Sequence, residues 1–183
     1  MQRILIIAGL VAAGSAFAQH AGHQDQQQPS GYAGMQARDL KALSPEQLVE
    51  LREGRGMGAS LPAELNGAPG PLHVLELSQR LKVTAEQRAA LASLTAAMKT
   101  SAQDLGAKVI AAEAELDRGF KTGSIDEKGI ADATARIAAL QGQLRAVHLT
   151  AHLKTRQLLT NEQVLAYNQA RGYSAASGHV HRH

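Results

Sequence analysis

The chain has 183 residues, no cysteine and no tryptophan, and 3% of its residues are aromatic. That composition excludes disulfides, thiolate metal centres and cysteine nucleophiles, and it excludes a core built on large rings. Its 19 Lys and Arg and 16 Asp and Glu are interleaved, so no basic stripe points to a nucleic-acid partner.

The N-terminus reads as an export signal over residues 1–18. Arg3 is the positive n-region, Ile4 to Ala13 the apolar h-region, and Ala16-Phe17-Ala18 a small-x-small cleavage site. The apolar run falls short of the ~20 residues that span a bilayer, so no stable membrane anchor is expected. Residues 19–42 are rich in Gln, Gly and His without apolar periodicity, which predicts a disordered lead-in.

Residues 43–71 read as a short helix and a Gly/Pro-rich connector. Ser44 is the N-cap, Pro45 opens the helix and Gln47 closes a capping box. The helix ends within Glu53-Gly54-Arg55-Gly56-Met57-Gly58. That stretch lacks the lysine and the strand of a phosphate loop, so it reads as a flexible connector. After the turn Asn66-Gly67-Ala68-Pro69-Gly70-Pro71, Leu72 to Leu81 predicts another short helix.

A helical hairpin is expected over 72–172. In Val83-Thr84-Ala85-Glu86-Gln87, Thr84 caps and Gln87 reaches back. Leu91, Leu94, Met98, Ala102, Leu105, Val109, Ala112, Leu116 and Phe120 then recur at steps of three and four, an a/d seam of about five heptads. Gly106 is the one weak helix former within it, costing about 1 kcal/mol relative to alanine. Lys121-Thr122-Gly123 ends the first helix, and Ser124-Ile125-Asp126-Glu127 reads as a fresh capping box. The second seam runs Ile130, Ala133, Ile137, Leu140, Leu144, Val147, Ala151 and Leu158. Two long helices on a tight loop must lie antiparallel. Leu159-Thr160-Asn161-Glu162-Gln163 caps a last helix, with Thr160 and Gln163 repeating the box, and a tail over 173–183 carries His179, His181 and His183. The fold class is therefore all-α: a long antiparallel helical hairpin with short flanking helices, in a hooked four-helix arrangement.

The two boxes at the roots of one hairpin resemble the L-T-x-x-Q signature of the periplasmic Spy/CpxP-like proteins. That group includes zinc-resistance-associated proteins and the sensor domains of cobalt-nickel resistance systems. The second copy matches fully; the first has Val83 in place of the usual leucine. The resemblance implies a periplasmic location and a cradle-shaped homodimer that holds unfolded envelope proteins without ATP. In the sensor branch it implies transition-metal binding through His, Glu and Met. Carry-over reaches only Thr84, Gln87, Thr160 and Gln163, whose role is structural capping.

His148 and His152 lie four apart on the second long helix and share one face, a spacing that suits two imidazoles on one divalent cation. A turn centred near Gly123 sets His148 level with Met98, and His152 level with Leu94. If the helix after Pro71 folds back over the hairpin, His73 returns to that level with Glu76 one turn away. The expected site is His148, His152 and His73, with Glu76 and Met98 in reserve, for one Zn, Ni, Co or Cu ion. In the opposing reading the pair flanks the seam and hydrogen-bonds a carboxylate or water. His20, His23 and the tail histidines read as composition bias of solvated segments.

Ser, His and Asp are present without a nucleophile elbow or a strand to carry one, so no enzyme is expected. Glu113 and Asp117 are expected on a solvated face, with Lys121 available to pair with Asp117. Val147, Leu149 and Leu153 widen the apolar surface beside the second seam. That surplus needs a cover: the short helices, a second subunit or an unfolded client. The expected function is a periplasmic stress protein binding unfolded envelope proteins, a divalent transition metal, or both. The alternatives are a heavy-metal sensor or resistance accessory with a signalling partner, and a structural dimer module.

Overall fold

The structure is a computed structural model and describes residues 30–173. The chain divides into two compact units, Met1–Ala33 and Gly34–His183. Of the first, residues 30–33 are described and form a turn in which Ala33 N–H donates to Ser30 O at 2.8 Å. The expected export signal over 1–18, His20, His23 and the tail histidines lie outside the described residues.

The second unit is helical, with no strand among the described residues. A 3₁₀ turn at Met35–Ala37 precedes α1 (Pro45–Glu53), α2 (Leu61–Glu64), α3 (Pro71–Glu76), α4 (Ala85–Thr122), α5 (Glu127–Leu158) and α6 (Asn161–Arg171). No described helix is long and apolar enough to cross a membrane.

Local capping chemistry sets most of these boundaries. Ser44, Thr84 and Thr160 each accept a hydrogen bond from the N–H three residues on, and their own N–H groups donate to Oε1 of Gln47, Gln87 and Gln163. The helices they open end on Gly54, Gly123 and Gly172 in the left-handed conformation. The start of α5 corrects the sequence reading. Its N-cap is Asp126, whose Oδ1 accepts from Gly129 N–H at 2.7 Å, while Ser124 Oγ turns to the Thr122 hydroxyl at 2.8 Å. Gly123 ends α4 and the turn runs on two residues further, so the carboxylate, not the serine, sits at the helix mouth.

The strongest packing is between α4 and α5, and they run antiparallel. Gln87 Nε2, one turn into α4, donates to Leu158 O at the end of α5 at 2.7 Å, and Glu115 meets Arg136 at 2.7 Å near the turn. The two box glutamines also meet, each Nε2 donating to the other's Oε1 at 2.9 Å. Each therefore caps its own helix with one end and ties the root of the hairpin with the other.

Two apolar clusters result. At the root, Val74, Leu81, Val83, Leu91, Leu159, Val164 and Tyr167 join α3, α4 and α6. Further along, Leu43, Leu48 and Leu51 pack on Ala102, Val109 and Leu144, with Leu40 and Val147 against them. Residues 34–42, expected within a disordered lead-in, thus contribute Leu40 to the core, because α4 offers small residues there for the chain to lie on. The helix expected over 72–81 stops at Glu76; turns follow, with Lys82 at φ 49° and Val83 N–H bonded to Ser78 O at 2.9 Å.

Gly106 is a contact, not a weak link. A Cβ there would collide with the Leu51 carbonyl oxygen, so α1 crosses α4 backbone to backbone at this residue. Glu113 also departs from expectation: it is 9% exposed and burial pushes its carboxyl up. Asp117 pairs with Lys41 at 3.9 Å, not with Lys121. The segment before α1 covers this face of α4, which a helix-wheel count cannot anticipate.

Gly106→Ala should therefore destabilise the protein by roughly 1–3 kcal/mol through overpacking, although alanine is the better helix former. Gly142→Ala, on an exposed face of α5 with open space at its Cβ, should stabilise by about 0.5–1 kcal/mol. Urea unfolding of both variants checks this; shifts of the same sign would rule out the close approach.

Candidate functional site

Between the two clusters the hairpin is incompletely filled. Along α4 the gap falls between Leu91 and Ala102, and along α5 between Leu144 and Leu159. A cleft of about 590 Å³ opens there. Its walls are Thr95, Met98 and Lys99 from α4, His148 and His152 from α5, and Pro71, Leu72 and His73 from α3. Glu53, Gly54–Gly58, Ser60, Leu61, Glu64, Gly70, Arg171 and Tyr173 complete it. The glycine-rich stretch after α1, read from sequence as a connector, is one wall. Gly54, Met57 and Gly58 are all at positive φ, which folds it tightly against the hairpin.

His73, His148, His152 and Met98 are brought together on this cleft, at the level the register of the hairpin implies. Glu76 is not: it ends α3 exposed to solvent and away from the cleft. Of the two carboxylates that line the cleft, Glu53 and Glu64, the buried one is Glu64, from the four-residue α2. Pro62 in the first turn of α2 is a local helix signal, but nothing local announces that Glu64 turns inward.

Glu64 is 6% exposed and is the polar centre of the site. Gly70 N–H donates to Oε2 at 3.0 Å and the Tyr167 hydroxyl donates to Oε1. His152 Nδ1 stands 3.5 Å from Oε2, His73 Nδ1 3.6 Å from Oε1, and Arg171 Nε 4.0 Å from Oε1. Those three distances exceed a normal hydrogen bond, and of the three groups Arg171 acts on the carboxylate as a full charge. Burial pushes the Glu64 carboxyl up, but His73, the Tyr167 hydroxyl and the Gly70 amide outweigh it and bring it down to about 2. Burial and the same carboxylate hold the Tyr167 hydroxyl well above the usual phenol range, so it remains a donor.

The histidines differ in their bonding. His152 Nδ1 lies 2.7 Å from Ala68 O, so it carries the proton and donates, which leaves the lone pair of the neutral ring on Nε2. The Nε2 edge faces Gly70, where a Cβ would stand 3.1 Å from it. His148 is 4% exposed and its Nε2 has no hydrogen-bond partner. Burial first, and the nearby His152 second, hold it below the usual imidazole range, so it is neutral at pH 7. His73 Nδ1 is likewise buried without a hydrogen-bond partner. Among the described residues, no three His, Asp or Glu side chains converge closely enough to hold a metal ion as they stand.

The apolar surplus beside the seam is partly covered. Val147 packs against the cluster under α1 and Leu149 is half-buried, while Leu153 is 57% exposed. On the cleft itself Met57, Leu61 and Leu72 are 42%, 53% and 51% exposed. Compared with protein families, curated proteins and solved structures, the chain matches none.

The Glu64 network predicts an acid-sensitive fold. The folded carboxyl (about 2) titrates below its unfolded value of about 4.3, so its contribution is complete above that value and is lost as pH falls towards 2. Tyr167→Phe removes the hydroxyl donor and should cost about 1.5–3 kcal/mol at pH 7. In urea unfolding that cost should shrink measurably by pH 3. A penalty independent of pH would mean that the hydroxyl does not act through the carboxylate.

Proposed function

We propose that this chain is an exported, non-enzymatic binding protein of the Spy/CpxP type, in a hooked four-helix arrangement, whose cleft takes one divalent transition-metal ion. One observation carries the reading: three imidazoles share a cleft, and two of them, His73 and His148, have buried nitrogens without hydrogen-bond partners. A buried polar atom left unpaired costs about 1–3 kcal/mol, and a metal ion is one way to satisfy it. His152 adds the outer-shell feature of metal-ligating histidines, one ring nitrogen fixed to a carbonyl and the other left with its lone pair.

His148, His152 and His73 would hold the ion, with Glu64 or Met98 completing the set. Ligation at about 2.0–2.1 Å requires the rings to draw together by side-chain rotation. Imidazole and thioether donors suit Zn, Ni, Co and Cu, so the protein is read as a binder or sensor of that class. Because the rings must be neutral to ligate, affinity should fall as the pH is lowered. The prediction is one tight equivalent of zinc, nickel or copper in calorimetric titration at pH 7.5. His148→Ala should weaken it by at least tenfold, and His73→Ala should weaken it less. Unchanged affinity in a His148/His152 double variant would move the site elsewhere.

A second reading is favoured by the exposed Met57, Leu61 and Leu72 around the cleft and by Leu153 one residue past His152. An apolar rim of this kind suits an unfolded envelope protein or a second copy in a homodimer. Near-equimolar suppression of aggregation without nucleotide is the expected behaviour, reduced in Leu72→Asp and Leu153→Asp. Full suppression by both variants, with the fold intact by circular dichroism, would exclude the rim as the binding surface.

A further inference from the structure

The cleft is far larger than a metal ion. Its volume of about 590 Å³ is roughly twenty times the ~30 Å³ that one water occupies in the liquid. It falls within the ~300–1,000 Å³ of pockets that enclose whole small molecules. Its donors are also few: among the described residues, no three His, Asp or Glu side chains converge on one point. Each oxygen of Glu64 already accepts a hydrogen bond, Oε2 from Gly70 N–H and Oε1 from the Tyr167 hydroxyl, which leaves it a weaker donor than a free carboxylate. A bare ion, moreover, gains nothing from Leu61, Leu72 and Met98 on the walls. The carbon skeleton of an organic ligand does.

Charge points to an anion. Arg55, Lys99 and Arg171 line the cleft against Glu53 and Glu64, three positive groups against two negative, so a divalent cation raises the excess from one positive charge to three. Arg55 is taken up by Glu53 at 2.6 Å. Arg171 is held more loosely: its Nε stands 4.0 Å from Glu64 Oε1, and its guanidinium lies 5.8 Å from the centre of the Tyr173 ring. An arginine presents its N–H donors as a rigid fork that matches a carboxylate. His152 Nδ1 stands 3.5 Å from the other oxygen of Glu64, so the guanidinium and this imidazole belong to one corner of the cleft.

Resting on the metal reading of the cleft, we propose that the ion is held there as its complex with a small chelating carboxylic acid, an α-hydroxy or α-amino acid, whose carboxylate Arg171 pairs. In such an acid a carboxylate oxygen and the α-oxygen or α-nitrogen bind the ion together. His148 and His152 hold the ion's other side. His148 Nε2 is buried without a hydrogen-bond partner, and His152 Nδ1 donates to Ala68 O, which leaves its lone pair on Nε2. Two imidazoles and one chelating acid supply the four donors of a tetrahedral ion. His73 is then a further donor for an ion of higher coordination. The ion neutralises part of the acid's charge, and the acid fills volume that the histidines leave open.

The test is equilibrium dialysis of the full chain at pH 7.5 with nickel and radiolabelled citrate, and separately with nickel and radiolabelled L-histidine, as the α-hydroxy and α-amino arms. The expected result is about one equivalent of one acid retained per equivalent of nickel, and retention at least tenfold weaker without the metal. H148A/H152A should lose the acid together with the nickel, because both sit on one ion. Arg171→Gln should weaken nickel-dependent retention of the acid roughly tenfold more than it weakens binding of nickel alone. Arg171→Lys, which keeps the charge without the fork, should recover part of that loss. Nickel held with neither acid retained overturns the chelate and leaves the cleft reading standing. An acid retained equally without nickel overturns it as well, by showing a separate anion site. Equal retention by Arg171→Gln and the parent, with the fold intact by circular dichroism, overturns the pairing with Arg171. Absence of nickel binding by the parent chain in every arm sinks the cleft reading itself.

Discussion

An ionised carboxylate removed from water is unfavourable by several kcal/mol, on the order of what one small domain has in reserve. Glu64 is such a group, and the surrounding architecture is the solution to its burial. Gly70 N–H and the Tyr167 hydroxyl each donate to one of its two oxygens, and His73, His152 and the Arg171 guanidinium surround it. These groups come from the turn after α2, from α3, from α5 and from α6. Satisfying one side chain therefore fixes four pieces of chain relative to one another. The four-residue α2 has almost no apolar burial of its own and is too short to persist alone. Its anchor is electrostatic, and the anchor is what holds the cleft wall against the hairpin.

Sequence made the hairpin legible because its determinants are local. A cap hydroxyl, a glutamine three residues on and a terminal glycine act within one turn, so Thr84, Gln87, Thr160 and Gln163 could be assigned without tertiary information. The level of His148 against Met98 followed from a fixed rise per residue and one turn position. Long-range contacts were opaque. Gly106 looks like a weak helix position until α1 is laid across it, and Glu113 looks solvated until the segment around Lys41 covers that face. Glu64 was invisible for the same reason: its partner Tyr167 is 103 residues away, and no periodicity encodes that pairing. Ser124 against Asp126 is a different failure. Both are good caps, and the choice between them depends on how many residues the turn consumes.

Packing is uneven along the hairpin, and the unevenness is informative. The root and the middle each have a closed apolar cluster, whereas towards the turn Phe120 is 60% exposed and Ile137 is the last well-buried apolar residue on α5. The short helices cover only the half of the hairpin that carries the histidines. Stability should thus be graded, highest where α1, α3 and α6 cover the long pair and lowest at the turn. A cleft in the well-packed half is not a region the chain failed to fill for want of covering elements; it has cover on three sides.

What leaves it open is the choice of residue on its walls. The His148 ring abuts Gly56, where a Cβ would stand 3.4 Å from Nδ1, and the His152 ring abuts Gly70. Main chain without side chains faces the nitrogen-bearing edges of both rings. Leucine or methionine on α5 would fill the same volume with no buried nitrogen to satisfy, and so would be the better choice for packing alone. The opposing reading, that these histidines only hydrogen-bond a carboxylate or water, has a counterpart at His152 Nδ1, which donates to the Ala68 carbonyl. At His148 no protein group partners the buried Nε2, and burial disfavours the protonated form. A neutral imidazole with an unused lone pair, walled by glycine in an otherwise covered cleft, stabilises nothing by itself. In the proposed reading, a cation that takes nitrogen ligands is what completes the bond.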